Sequence, residues 1–313
     1  MAIKKVTLIG LGAMGAFFAP GLERILGGNF RVLAGGERKD RLETKGVTLN
    51  GVTHFFKLIS PEEEGDPADL ILIAVKDGGL DQAIQDIRNQ VGPDTRILSV
   101  LNGIDSEERV AAVYGWEHML YSYMRFSNAM QNGVSDFNPD KGSVHFGEAK
   151  NDVLSPRVQE IAALLDACDI RYVIDPDMIR GMWFKFMCNI GENLTCALLG
   201  ISFGAFRHSS HANAIRREAM WEVVRIANRL GIDLGPEDIE RQEGTIKRLP
   251  FFNKPSTLQD LESGRRTEIG MFAGRVIALG EKLGVSTPIS WMFYHGIHTL
   301  EEKNTGLFAV ESD

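Results

Sequence analysis

Cysteine is scarce. The 313-residue chain carries three, Cys168, Cys188 and Cys196, an odd number without metal-ligand spacing, which excludes a disulfide framework and a paired-cysteine metal site. The expectation is reduced thiols used for packing in a cytoplasmic protein. Long apolar runs are missing too. A membrane helix needs ~20 uncharged residues, and the nearest approach, Ile190 to Phe203, is broken by Glu192, Asn193 and Gly200. Positive charge is in deficit: 34 Lys and Arg stand against 42 Asp and Glu, for a net charge of -8 and a pI near 5.5. That argues against coating nucleic acid or anionic membranes and leaves room only for a local basic pocket. Met1 to Lys5 leads straight into an apolar strand, so no secretory leader is expected. No Walker loop, Gly-x-Ser-x-Gly elbow or internal repeat is found. His208 with His211, and His295 with His298, share helix faces but lack a third ligand, so no metal is expected.

What is there reads as a two-domain α/β protein. Single cores seldom grow past ~250 residues, and 44% hydrophobic with 24% charged residues is ordinary for a globular chain. Lys5 to Ile9 is a short strand, Gly10-Leu11-Gly12-Ala13-Met14-Gly15 follows, a helical pattern runs toward Leu26, and a second strand spans Phe30 to Ala34. Strand, glycine turn, helix and strand within ~30 residues is the context a dinucleotide fingerprint requires. Gly10 allows the tight turn, Gly12 the approach of a pyrophosphate, and Gly15 close packing of helix on strand, while the amides at the helix start hold phosphate. Pro20-Gly21 is expected to kink or shorten that helix. After the second strand, Glu37 favours NAD, Arg38 and Lys39 favour NADP, and all three also suit a solvated loop.

Leu70 to Val75 is a wholly apolar run suited to a strand buried on both faces, and it ends at Lys76. Arg96 to Leu101 ends likewise at Asn102-Gly103, where Asn102 serves either a ligand or the next helix as a cap. Strands are also expected at Leu120 to Phe126, Ser143 to Gly147 and Arg171 to Ile174, with a helix from Ser155 to Cys168. The segment Asp175-Pro176-Asp177 separates a Rossmann-type domain with a doubly wound parallel sheet, residues 1–175, from an all-helical domain, residues 176–313. Apolar residues recur there at helical spacing in Ala214 to Leu230, Glu268 to Leu283 and Ser290 to Glu302, ahead of a loose tail from Asn304 to Asp313.

The helical domain opens with Met178 to Leu199, apolar except for a few positions. Lys185, Asn189 and Asn193 recur every four residues, and on an α-helix each step drifts only about 40°. Their polar ends therefore form one stripe among Trp183, Phe184, Phe186, Met187, Ile190 and Leu194. Buried polar groups need partners, supplied either by neighbouring loops or by a small polar ligand. Farther on, Ser256 can cap the helix after Pro255, and Glu268 opens a largely apolar helix, where a carboxylate needs a reason.

These segments together resemble the 2-dehydropantoate 2-reductase (ketopantoate reductase) family over essentially the whole chain. The glycine fingerprint is shared with many dehydrogenases. More specific are Pro255-Ser-Thr-Leu-Gln-Asp260 and Gly264-Arg-Arg-Thr-Glu-Ile269. The resemblance implies that NADPH reduces 2-dehydropantoate to (R)-pantoate, with Lys185 as general acid, Glu268 as the active-site carboxylate, and Asn102, Asn189, Asn193 and Ser256 on the substrate. It places Lys76 near the NADP 2'-phosphate and Asn102 near the nicotinamide. Gly35 stands where the family commonly has a 2'-phosphate arginine, so Arg38 and Lys76 carry the preference for NADP, and NAD stays open. Gly270 stands where the family usually has aspartate. The alternatives are reduction of another small branched 2-oxo acid and a non-catalytic NADP-binding redox sensor. The stripe is expected to floor a cleft between the domains, and a homodimer through the helical domain is compatible with the sequence.

Overall fold

The computed structural model describes residues 2–126 and 130–308. Its chain forms two compact units, Met1–Ile179 and Arg180–Asp313. The first holds β1 (Val6–Ile9), α1 (Gly15–Leu26), β2 (Phe30–Leu33), α2 (Gly36–Lys45), β3 (Val47–Leu49), β4 (Val52–His54), β5 (Lys57–Ile59) and β6 (Leu70–Ile73). It continues with α3 (Leu80–Asp86), β7 (Arg96–Ser99), α4 (Ser106–Tyr114), β8 (Met119–Arg125), β9 (Val134–Ser135), β10 (Ser143–Gly147), α5 (Pro156–Ala167) and β11 (Tyr172–Val173).

Eight strands make one sheet in the order β11-β10-β8-β7-β6-β1-β2-β5. It is parallel from β8 to β5, and β10 runs antiparallel to β8. Both faces of the central strands β1 and β6 are buried, which is why they read as largely apolar runs rather than alternating ones. Leu8, Leu70, Leu72 and Leu98 point into a core shared with Phe18 and Leu22 of α1 and Ile161 and Leu165 of α5. Ile9, Ile71, Ile73 and Ile97 point to the opposite core, with Leu80 and Ile84 of α3 and Val110 of α4. The strand order reverses at β1, with β2 on one side and β6 on the other. In open parallel sheets ligands bind outside the carboxyl ends at such a reversal.

The small sheet β4-β3-β9 and the edge strand β5 have no counterpart among the sequence expectations. Each has two or three residues, too few for an alternating pattern to stand out. The segment with Glu37, Arg38 and Lys39 is the start of α2 rather than a loop. Helix α1 runs unbroken through Pro20. Phe17, Phe18, Ala19 and Leu22 are buried around that proline, and a Cβ at Gly21 would lie 2.6 Å from the Cys168 carbonyl oxygen. Packing on both sides of the missing hydrogen bond holds the helix in place.

The second unit contains no strand among its described residues. It receives α6 (Met178–Cys188), then a π turn (Asn189–Asn193) and α7 (Leu194–Leu199), followed by α8 (Ser210–Arg229), α9 (Pro236–Ile246) and α10 (Ser256–Glu262). A second π turn (Gly270–Gly274), α11 (Arg275–Leu283) and α12 (Pro288–Asn304) complete it. Of the expected tail, residues 309–313 lie outside the described residues. Among the described residues, no helix is long and apolar enough to cross a membrane.

One buried acid ties the sheet to its loops. Glu107 accepts from Ser106 Oγ at 3.0 Å and from Ser122 N at 3.3 Å, and Ser106 in turn accepts from Ser99 Oγ at 2.8 Å. Burial pushes the Glu107 carboxyl up to about 7, against the pull of these donors. The unfolded chain releases that proton near pH 4.5, whereas the folded chain keeps it to about 7. The contribution is therefore fully present below the unfolded pKa and is lost as pH rises through the folded one. Urea titrations at pH 5.5 and 7.5 should show wild type losing stability across this interval, and Glu107→Gln losing about 2 kcal/mol less. Equal losses in the two proteins would refute the buried protonated carboxyl.

Candidate active site

In the first unit the expected nucleotide-binding residues gather at one sheet edge. The register pairs Ile9 with both Leu33 and Ile73, and Ile73 with Ser99, so the strands end level. Gly10, Ala34, Ala74 and Val100 follow side by side, and Lys76 and Asn102 lie just beyond. Gly10 has φ +99°, and a Cβ on it would sit 2.5 Å from the Ala74 carbonyl carbon; one on Gly15 would sit 2.3 Å from the Gly10 carbonyl oxygen. Both positions admit glycine alone. Gly12 differs: a Cβ there would meet nothing within 4 Å.

That open space lies directly before α1, whose start has no side-chain cap and no acid in its first turn. The residues fit a dinucleotide cofactor, because a helix start of this kind attracts phosphate and a Cβ on Gly12 would meet nothing within 4 Å. Leu11 is buried beneath it, while Ala13 and Met14 are half-buried. Lys76 is exposed at the end of β6 and Asn102 is half-buried after β7. The Asn102 loop is stapled from below, since Ser99 on one side bonds Ser106 on the other at 2.8 Å.

Arg38 is exposed in the first turn of α2 with Arg41 close by, and neither guanidinium has an ion-pair partner among the described residues. Lys39 is engaged, donating to Ser60 Oγ at 2.7 Å. A Cβ on Gly35 would touch only the Pro61 ring, at 3.5 Å, an ordinary contact.

In the second unit the stripe is clear. From Met182 to Ala197 every residue is buried except Lys185, Asn189 and Asn193, which are half-buried. The π turn explains why the line stays straight. Four residues of α-helix overshoot a full turn by about 40°, whereas four residues of π-helix, at roughly 82° each, fall short by about 33°. The drift from Lys185 to Asn189 is thus largely reversed from Asn189 to Asn193. Asn193 Nδ2 donates to Asn189 Oδ1 at 3.2 Å, which fixes the two amides relative to each other.

Ser256 and Glu268 come to the same neighbourhood. Helix α10, which Ser256 begins, packs on α7 and on the first π turn, and the second π turn packs on the first. Ser256 is exposed and does not cap its helix; the cap position is Pro255. Glu268 is half-buried, and its carbonyl accepts from Phe272 N at 3.1 Å, so its carboxylate sits at a helix start, where negative charge is favoured. Glu301 on α12 holds the approach by accepting from Thr267 N and Oγ1 at 2.6 and 2.7 Å.

Sequence reasoning passed over a buried ionic group beneath the stripe. Glu192 accepts from Arg216 Nη1 at 3.2 Å and from Gln242 Nε2 at 2.9 Å. An acid within an apolar run was the signal available, and it had been read only as an interruption.

Comparison with known proteins agrees with this architecture. Family models described as "Ketopantoate reductase PanE/ApbA" and "Ketopantoate reductase PanE/ApbA C terminal" match residues 6–151 and 177–301. A 2-dehydropantoate 2-reductase of Streptococcus pyogenes serotype M3 is 28% identical over 307 residues, covering 95% of this chain and 97% of that protein. Among solved structures, a D-mandelate dehydrogenase with NADH and anilino(oxo)acetate superposes with a TM-score of 0.86 at 23% identity, covering 96% of this chain and 99% of that one. A 2-dehydropantoate 2-reductase of Geobacter metallireducens gives a TM-score of 0.82 at 24% identity, covering 94% and 99%. At those identities the two structures speak for the fold. With both family models matched in order along the sequence, the chain belongs to the ketopantoate reductase PanE/ApbA family of oxidoreductases.

Proposed function

We propose that the protein reduces 2-dehydropantoate to (R)-pantoate with NADPH, a step toward pantothenate and coenzyme A. The observation that carries the reading is the half-buried line Lys185, Asn189 and Asn193 on an otherwise buried helix. When bound, the nicotinamide supplies a hydride to the ketone carbon. Negative charge then builds on the ketone oxygen, and Lys185 lowers the barrier by donating its Nζ proton to that oxygen. Asn189, Asn193 and Ser256 bond the substrate carboxylate and hydroxyl without adding charge, Asn102 lies toward the nicotinamide, and Glu268 orients the substrate hydroxyl or the lysine. Gly10 to Gly15 would hold the pyrophosphate, Gly12 leaving its backbone open to approach.

The choice of NADPH rests on charge. The acid after β2, Glu37, shares the first turn of α2 with Arg38 and Lys39, and Arg38 has no ion-pair partner among the described residues, while Lys76 lies just beyond the end of β6. The mandelate dehydrogenase likeness favours a second reading: NADH as donor and another small branched 2-oxo acid as substrate. Rates on a panel of 2-oxo acids with either cofactor separate the two.

Four substitutions test the assignments. Lys185→Ala should lower kcat by about 10²–10⁴ with the cofactor Kd nearly unchanged, as loss of a general acid does; undiminished turnover removes Lys185 from that role. Gly12→Ala should keep the wild-type melting temperature and bind NADPH at least about tenfold more weakly, whereas Gly15→Ala should lose stability by about 1–3 kcal/mol through overpacking. If both variants bind cofactor normally, the cradle is misassigned. Gly35→Arg, whose Cβ would make only an ordinary contact with the Pro61 ring, should raise the preference for NADPH over NADH by roughly tenfold through one charge-assisted phosphate contact, read as the ratio of the two kcat/KM values.

A further inference from the structure

We propose that Glu192, held by Arg216 and Gln242, is the positioning residue that fixes the π turn and thereby presents Asn189 and Asn193 together to the substrate. The inference rests on the reading of the stripe given above and extends it to residues which the stripe itself does not contain.

Glu192 lies inside the π turn, between the two asparagines. Counting from Asn189, three residues of α-helix would leave it about 60° from that side chain, whereas three residues of π-helix carry it to about 115°. It is thus turned away from the stripe and toward α8 and α9. Arg216 on α8 is wholly buried and spans two acids, Glu192 at 3.2 Å and Glu243 at 3.1 Å, with its guanidinium carbon 5.3 Å from the centre of the Phe206 ring. Gln242 on α9 supplies the second bond to Glu192. A close approach of backbones makes this reach available: a Cβ on Gly191 would lie 2.5 Å from Met220 Cγ and 2.9 Å from the Arg216 carbonyl oxygen. α8 therefore rests directly on the turn.

A buried guanidinium cannot be left without its counter-charge, so this contact restrains the turn against reverting to α-helical winding. Reversion would swing Asn193 out of line with Lys185 and break its bond to Asn189. Glu192 touches neither the stripe nor the cofactor cradle in the distances above, so its effect on the reaction runs through the turn.

Hydrogen exchange and kinetics together test this in the full-length protein, with Glu192→Gln and, as a milder variant that leaves the ion pair in place, Gln242→Met. In the absence of ligands, amides of a peptide covering residues 186–198 should exchange faster in both variants while the N-terminal unit is unchanged. With NADPH and 2-dehydropantoate, KM for the 2-oxo acid should rise about tenfold in Glu192→Gln and less in Gln242→Met, with kcat and KM for NADPH within about twofold. Glu192→Asp should recover part of the loss. Unchanged exchange over 186–198 overturns the proposal, as does faster exchange with KM for the 2-oxo acid unmoved, which is the outcome for a merely structural ion pair. If wild type reduces no 2-oxo acid, the proposed function fails, and the exchange arm by itself decides whether the pair holds the turn.

Discussion

Removal of charge from water is the constraint on which the helical unit depends. The segment from α6 through α7 is enclosed nearly all round, so each polar group on it must be matched or must face a ligand. Glu192 meets the first condition: Arg216 and Gln242 reach it from two other helices. Burial still pushes its carboxyl up to about 7, with Arg216 and Gln242 pulling the other way. Lys185, Asn189 and Asn193 form the half-buried line, with Asn193 bonded to Asn189. One helix thus carries an inward polar group that binds the protein together and a separate half-buried polar line, and the π turn separates the two directions by rotating Glu192 farther from Asn189.

Much of this was legible in the sequence. The strands Lys5 to Ile9 and Leu70 to Val75 reappear because burial on both faces makes a largely apolar run, a signal that needs no partner to be read, and Ser143 to Gly147 reappears from the alternation of Val144 and Phe146 with polar residues. The fingerprint was legible for the same reason that it is rigid, since Gly10 and Gly15 leave no room for a Cβ. The stripe could be read as spacing of four. The π turn could not, because a helix of either winding has the same apolar composition, and what selects between them is contact with α8. Arg216 stayed hidden among the charges of a long amphipathic helix, where an arginine pointing inward looks like one pointing outward until its partner, 24 residues earlier in the chain, is placed. The β3, β4 and β9 pairing was invisible because strands of two or three residues carry almost no periodicity.

Capping shows a different limit. Ser256 after a proline reads as a helix cap, and serine at that position commonly is one. Pro255 occupies the cap instead, so Ser256 falls one residue later and keeps its hydroxyl exposed. A shift of one residue along the chain converts a structural hydroxyl into one able to meet a ligand, and sequence boundaries are not that sharp.

The glycines separate into two kinds, and the difference bears on specificity. At Gly10, Gly15 and Gly191 a Cβ would lie 2.3–2.5 Å from its nearest neighbour, so packing demands glycine whatever the ligand. At Gly12, Gly35 and Gly270 packing demands nothing: Gly12 and Gly270 face open space and Gly35 makes one ordinary contact. For Gly12 the space is the cradle. At the other two the resemblance implies an arginine and an aspartate, and neither absence is forced by the fold. Glycine at a helix start also loses more chain entropy on folding than a longer residue would, so local stability does not favour it at Gly270, the first residue of the second π turn. The fold therefore leaves room for charge at both positions, three residues before Arg38 at one and two residues after Glu268 at the other.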